Sequence, residues 1–146
     1  MREKELRLAL VLFGGVSLAI YQHGINREVL NLVRASRAYH DAPDGAAKQD
    51  PGRDYARATG VERVDDDALT ATVYFDLLKR LGRTIDLRVL ADVMSGASAG
   101  AINGIALARA IAHDLSLEPV TTLWLEQADM QRLIAPEARA GTWDKW

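Results

Sequence analysis

Two short apolar runs constrain the fold of this chain more than any other feature, because each leads into a glycine-containing turn and then a helical pattern. The first run, LRLALVL, covers Leu6 to Leu12 and ends at Gly14-Gly15. The second, IDLRVLADVM, covers Ile85 to Met94 and leads into a turn over residues 95–100. Such runs are typical of buried strands in a parallel sheet, whose strands are joined by helices. The order strand, helix, helix, strand, helix therefore predicts an α/β fold.

Four helical patterns accompany the strands. The predicted buried face of the first helix consists of apolar residues at helical spacing, namely Tyr21, Ile25, Val29 and Leu32. Asp67 is a suitable N-cap and Gly82 a suitable end for the second helix, whose predicted inner side consists of Leu69, Val73, Leu77 and Leu78. Residues 101–113 are so apolar that we expect their helix to be buried on most sides. Pro119 opens the fourth stretch, VTTLWLEQADMQRL.

The segment over residues 40–67 differs from the rest of the chain. It is rich in Asp, Gly, Pro and Ala and poor in large apolar residues, so it predicts a mobile, solvated insertion in the domain. The run Asp65-Asp66-Asp67 raises the question of a cation site. We favour a solvated acidic cap, since runs of like charge usually face water.

Composition excludes several classes of function. Hydrophobic residues make up 49% and charged residues 26%, which is ordinary for a soluble globular protein. The net charge of -2 gives no reason to expect a nucleic-acid partner. The absence of cysteine excludes disulfides and thiolate metal sites. Glu3 and Glu5 argue against a signal peptide, and no run approaches the length of a membrane span, so we expect a cytoplasmic protein.

The sequence Gly96-Ala97-Ser98-Ala99-Gly100 is the first candidate site. A nucleophilic serine at the top of a sheet occupies a sharp strand-to-helix turn, where residues two positions away on either side must be small. The glycines meet that requirement. The following helix points its N-terminal amides at the serine, so the N–H of Ala99 is a candidate oxyanion donor. A glycine-rich turn with a serine cap that binds phosphate is the alternative.

Gly14-Gly15 is the second candidate site. Glycines directly after a strand allow backbone N–H groups to face a ligand. They would supply the other half of an oxyanion hole, a phosphate cradle, or only a tight turn. The full GxGxxG spacing of dinucleotide-binding folds is missing, which disfavours a nucleotide site.

Together, the two sites resemble the patatin-like phospholipases. LALVLFGGVSLAIYQHGINREVL is similar to the opening strand, oxyanion loop and first helix of that family. DVMSGASAGAINGIALARAI is similar to its nucleophile elbow and buried helix, and TTLWLEQADMQRL to a later tryptophan-bearing helix of bacterial patatin-related proteins. Val16 stands where the family's typical loop has a third glycine, Leu18 where it has a basic residue, and Ala19 where it has a last glycine.

The resemblance implies a three-layer α/β/α sandwich, of which residues 1–146 form an N-terminal, incomplete part. It implies a lipid acyl hydrolase with a serine–aspartate dyad and no metal or cofactor. Ser98 would be the nucleophile, and the amides of Gly14, Gly15 and Val16 would hold the oxyanion. The substrate would be a lipid acyl ester, at a membrane surface or free of one.

The base of the dyad has no counterpart in the sequence. The family's aspartate belongs to a DG[GA] motif, and no Asp after Ser98 precedes Gly. We therefore expect a fragment that is inactive alone, and a truncated, non-catalytic patatin-like module is the alternative. A histidine does not replace the aspartate, because His113 lies roughly 22 Å from Ser98 along a helix. His23 and His40 are interpreted as surface or helix-end residues.

Overall fold

The computed structural model describes residues 2–60 and 66–127. Its elements are β1 (Arg2–Gly14), α1 (Val16–His40), α2 (Gly45–Lys48), α3 (Tyr55–Thr59), α4 (Asp66–Leu81), β2 (Ile85–Ser98), α5 (Ala99–His113) and α6 (Glu118–Thr122), followed by a π-helical turn, Leu123–Gln127. Both strands are longer than the apolar runs that predict them. The predicted fourth helix is described only as far as residue 127, and its last positions, 128–133, lie outside the described residues.

The two strands are parallel neighbours, which confirms the predicted α/β class. Their register runs from Arg2 opposite Ile85 to Gly14 opposite Ser98. It shifts once, between Leu8 and Ala9, where β2 contains one more residue than β1. Parallel strands end at the same edge of a sheet, so the two glycine-containing turns of the sequence are neighbours in space.

Helices α1, α4 and α5 pack on one face of this sheet. One core joins α1, α3 and α4 to Leu8, Leu87 and Val89. A second core joins α1, α5 and the start of α6 to Leu10, Ala91 and Met94. The opposite face exposes Val11, Phe13 and Val93. In the described part of the chain the fold is therefore an incomplete α/β arrangement of helices on a parallel sheet.

Helix α1 buries only the second half of its predicted apolar face, where Val29 and Leu32 pack against the two cores. Tyr21 and Ile25 are exposed, and the buried positions include Gln22, His23 and Asn26. Each of these side chains has one paired group: Gln22 and Asn26 donate a hydrogen bond to a backbone carbonyl, and His23 pairs with the hydroxyl of Thr121. Their other polar atoms, Gln22 Oε1, His23 Nδ1 and Asn26 Oδ1, have no partner among the described residues. Periodicity marks a helix but does not reveal a buried face whose polar groups are paired by neighbouring elements.

The predicted faces of α4 and α5 are also partly wrong. In α4 the buried stripe is Ala71, Phe75 and Leu78, whereas Leu69, Val73 and Leu77 are exposed. Asp67 lies inside the first turn of the helix and pairs with Arg27 at 2.9 Å. In α5 one face is buried, but Ile102 and Ile105 on its other side are exposed. In both helices several apolar positions suit more than one face, so only packing decides between them.

The described part of segment 40–67 is more regular than a solvated loop. Asp44 and Asp54 accept hydrogen bonds from the N–H groups of Ala47 and Arg57, and so cap the short helices α2 and α3. Tyr55 is buried in the core beside α1 and α4. The mobility of the segment stays a prediction, and residues 61–65, with the Asp65 of the predicted acidic cap, lie outside the described residues.

Candidate active site

Ser98 is the last residue of β2 and directly precedes α5. Its backbone has φ 55° and ψ -130°, and its side chain is exposed. A non-glycine residue with positive φ is held there at a cost of about 1–3 kcal/mol, and such residues cluster at functional sites. The sequence predicts a six-residue turn at this place. The structure has none, because one strained residue changes strand directly into helix.

The glycines around Ser98 are positions of close backbone approach. A Cβ built on Gly96 would lie 2.7 Å from the carbonyl carbon and oxygen of Gly100. A Cβ on Gly100 would overlap the carbonyl oxygen of Leu12 in the neighbouring strand. The first turn of α5 thus lies against both strands, which holds the serine at the edge of the sheet.

The diglycine turn lies beside this elbow. Gly14 is the register partner of Ser98, and its φ of 156° is unfavourable for any residue with a side chain. Gly15 is the N-cap of α1, and a Cβ on it would have no neighbour within 4 Å, so its outer side is open. Helix α1 therefore starts next to the place where α5 starts.

Two helix N-termini consequently meet at one edge of the sheet. Val16 and Ala99 are the first residues of α1 and α5, and first-turn N–H groups have no acceptor within their own helix. Neither N-cap makes a side-chain capping hydrogen bond, and neither helix has an acidic residue in its first turn. Amides that are unpaired within their helices, together with two positive helix ends, create a local environment that favours an anion.

The histidines are not placed as bases for Ser98. His23 is buried, and its Nε2 lies 2.8 Å from the hydroxyl of Thr121; burial, aided by the charge of Arg27, lowers the pKa of its imidazole. His40 ends α1, with its ring buried against Asp86. The prediction of surface positions is therefore wrong for His23 and, for His40, correct only as to the helix end. Among the described residues, no hydrogen bond of the Ser98 hydroxyl is recorded.

A buried polar cluster beneath the elbow was missed by sequence reasoning. Asn103, in the second turn of α5, donates a hydrogen bond to the carbonyl of Ala19 at 3.0 Å. Its side-chain oxygen accepts one from the indole N–H of Trp124 at 2.8 Å, and its carbonyl accepts one from Asn26. The sequence signal was Asn103 itself, the one side-chain amide in a largely apolar helix. A buried amide is generally tolerated only when its donor and acceptor groups are paired.

Within residues 2–60 and 66–127, no three His, Cys, Asp or Glu side chains are grouped so that they could hold a metal ion. None of the helices in the same ranges combines the length and the apolar composition that a membrane crossing requires.

Comparison with known proteins agrees with the geometry. The family model described as patatin-like phospholipase matches residues 68–146, more than half of the chain. The chain is 30% identical over 136 residues to the uncharacterized membrane protein Rv3479 of Mycobacterium tuberculosis, covering 90% of this chain and 11% of that protein. The chain thus spans about a tenth of the length of this curated relative, 11%. No solved structure matches it. By the family match, this chain belongs to the patatin-like phospholipases, a family of lipid acyl hydrolases.

Proposed function

We propose that Ser98 is the nucleophile of a lipid acyl ester hydrolase. Its Oγ attacks the ester carbonyl, a general base takes the hydroxyl proton, and the alcohol leaves with a proton to give an acyl-Ser98 ester. Water then cleaves this ester and releases the fatty acid. The family resemblance gives the role of base to an aspartate in a DG[GA] motif, which this sequence does not contain after Ser98.

The oxyanion of each tetrahedral intermediate would be held by backbone amides. The N–H groups of Gly14, Gly15 and Val16 on one side and of Ala99 on the other are the proposed donors. The register that pairs Gly14 with Ser98 supports this assignment, as do the two helix N-termini at the same edge. Preorganised donors of this kind typically contribute about 10²–10³-fold in rate each.

The surroundings of the site suit an apolar acyl chain. Phe13, directly before the diglycine turn, is 68% exposed, and Leu18 and Ile102 in the first turns of α1 and α5 are also exposed. Each of these exposed apolar side chains lies within a few residues of one of the two turns, and exposed apolar surface near a site is compatible with an apolar ligand or lipid. Phospholipids and related fatty acyl esters, presented at a membrane surface or as monomers, are therefore the proposed substrates.

One observation carries the proposal: an exposed serine with strained backbone, opposite a glycine turn, between two helix starts. An alkyl fluorophosphonate, which reacts with activated serines, tests it. The test uses the complete protein, because this sequence contains no DG[GA] aspartate after Ser98 to serve as base. We expect labelling of that wild type at Ser98, and at least about 10³-fold slower labelling of Ser98→Ala, because the nucleophile is removed. Ser95→Ala, which removes another exposed serine of the same strand, is the matched control and should label normally.

The second candidate function is a non-catalytic patatin-like module. The missing DG[GA] aspartate favours it, since a serine without a base is a weak nucleophile. Absence of labelling in a folded wild-type protein, together with failure to hydrolyse p-nitrophenyl esters of short or long acids, would support this module. Labelling that persists in Ser98→Ala would contradict the proposed role of Ser98.

A further inference from the structure

The side chain of Gln22 contacts the peptide that joins Phe13 to Gly14. Gln22 lies in the second turn of α1 and is 7% exposed. Its Nε2 donates a hydrogen bond to the carbonyl oxygen of Phe13 at 2.6 Å. A Cβ on Gly14 would lie 2.7 Å from the same nitrogen. Gln22 therefore packs directly beneath the glycine turn, although it lies outside the GGVSLA loop.

This hydrogen bond determines the direction of the Gly14 amide. The peptide is trans, as are all those of the described residues, so its C=O and N–H point in opposite directions. Since the Phe13 carbonyl points at Gln22, the Gly14 N–H points away from Gln22 and out of the α1 packing. A rotation of this peptide would turn the N–H inward and remove it from any ligand at the turn.

Gly14 makes such a rotation easy. A residue without Cβ populates both signs of φ, so the barrier that normally fixes a neighbouring peptide plane is low. A diglycine turn consequently needs an external hydrogen bond to keep one orientation. The Gln22 carboxamide can form this hydrogen bond only with its NH₂ group toward Phe13, because its oxygen would repel the Phe13 carbonyl oxygen. The carboxamide oxygen, Oε1, is itself buried without a hydrogen-bond partner among the described residues.

We propose that Gln22 is a positioning residue that holds the Phe13–Gly14 peptide with its N–H available to the oxyanion. The inference rests on the proposed function of Ser98 and adds to it the group that preorganises the oxyanion donor. Gln22 acts through the peptide and does not touch the substrate. A carboxamide with one unpaired oxygen is a costly way to fill a buried site, which is consistent with a role beyond packing.

The test compares Gln22→Met, which keeps the length of the side chain but has no donor, with Gln49→Met. Gln49 is a matched control because it too donates from a partly buried side chain to a backbone carbonyl, that of Lys79, away from the elbow. With ¹⁵N-glycine labelling, we expect microsecond-to-millisecond exchange broadening at the Gly14 amide in Gln22→Met. In Gln49→Met that signal should remain as in the wild type.

Kinetics supply the second readout. We expect the rates of ester hydrolysis and fluorophosphonate labelling to fall about 10- to 100-fold in Gln22→Met. The loss is smaller than on removal of an oxyanion donor, because the Gly14 N–H is still present but no longer held in one orientation. The loss should be in kcat, with KM within about two-fold, as for an interaction made mainly in the transition state. Gln49→Met should retain the wild-type rate.

The outcomes separate this inference from the proposed function. An unchanged Gly14 signal in Gln22→Met overturns the inference, and so does a broadened signal with unchanged kcat. If the wild type neither labels nor hydrolyses esters, the role of Ser98 fails. The Gly14 signal, which needs no activity, then still decides whether Gln22 holds the peptide.

Discussion

The polar side chains at the two ends of strand β2 have opposite environments: one is exposed and unpaired in the described part of the chain, and the other is paired. At its last residue, Ser98 is exposed, has a strained backbone, and has no recorded hydrogen bond among the described residues. Near its first residue, the largely buried side chain of Asp86 lies between Lys48 and His40. Its carboxylate lies 2.6 Å from Nζ of Lys48 and 3.1 Å from Nε2 of His40.

The Asp86 cluster connects three elements. His40 ends α1, its Nδ1 lies 2.8 Å from the carbonyl of Ser36, and Lys48 ends α2. Burial acts to raise the pKa of the Asp86 carboxyl, but the hydrogen bond and charge of Lys48, with the charge of His40, hold that pKa below its ordinary value of 3.8. Here polar groups neutralise one another and attach segment 40–67 to the sheet.

This difference separates polar groups that stabilise the fold from those left available for a ligand. A paired buried carboxylate contributes to stability only while its partners are present. A serine with a strained backbone reduces stability, and such strain is found mainly at functional sites. The Asp86 end of β2 therefore stabilises the structure, whereas the Ser98 end carries the proposed site.

The close packing around the Ser98 end of β2 predicts the largest effect on the free energy of unfolding. Gly100→Ala should reduce the free energy of unfolding by about 4 kcal/mol, since the new Cβ overlaps a strand carbonyl that cannot move alone. Urea denaturation measures the change. Gly104→Ala, in the same helix, is the control: its Cβ would meet only Leu12 Cδ1, at 3.4 Å, so we expect a change within about 1 kcal/mol. Equal effects of the two substitutions would contradict the close approach.

Removal of the Asp86 carboxylate predicts a smaller effect on the free energy of unfolding. Asp86→Asn should cost about 3 kcal/mol, because Lys48 and His40 lose the carboxylate they share. Because the folded pKa is lowered, the wild type has this stabilisation in full above pH 3.8 and loses it as the pH falls through the folded pKa.

Denaturation at neutral pH and at pH 3 measures this contribution. The difference between wild type and Asp86→Asn should shrink at pH 3. A constant difference at both pH values would show that the carboxylate acts through packing alone.

Relief of strain at Ser98 predicts the smallest effect, and with the opposite sign. Ser98→Gly should raise the free energy of unfolding by about 1 kcal/mol, since glycine adopts the φ of 55° without steric cost. Ser98→Ala keeps the Cβ and should leave stability close to that of the wild type. Thermal denaturation of the two variants distinguishes strain from loss of the hydroxyl. A destabilised Ser98→Gly would mean that the backbone there is not strained.

Local patterns predicted the main elements well. The runs ending near Gly14 and Ser98 became the parallel strands, and the α/β class and the family are confirmed. These predictions succeed because strand and helix periodicity, and the need for glycine at tight turns, are properties of neighbouring residues.

The buried faces of the helices and the hydrogen-bond partners of their side chains could not be predicted in the same way. The sequence pointed to Tyr21 and Ile25 as part of the buried side of α1, yet Gln22 and Asn26 are buried and donate to carbonyls of β1 and α5. His40 next to Asp86 is a similar case, because the two residues are 46 positions apart in the chain. Such pairings depend on which elements meet, and a local pattern does not contain that information.

By itself, the sequence determined two strand-to-helix transitions rich in glycine, because only small residues allow such sharp changes of direction. Tertiary structure alone decided that the transitions lie side by side, that Gly14 faces Ser98, and that Gln22 holds the peptide between Phe13 and Gly14. The last of these contacts joins residues only nine positions apart and depends on how α1 packs against the end of β1, whereas the first two join residues far apart in the chain. They form only when parallel pairing of β1 and β2 places both strand ends at one edge.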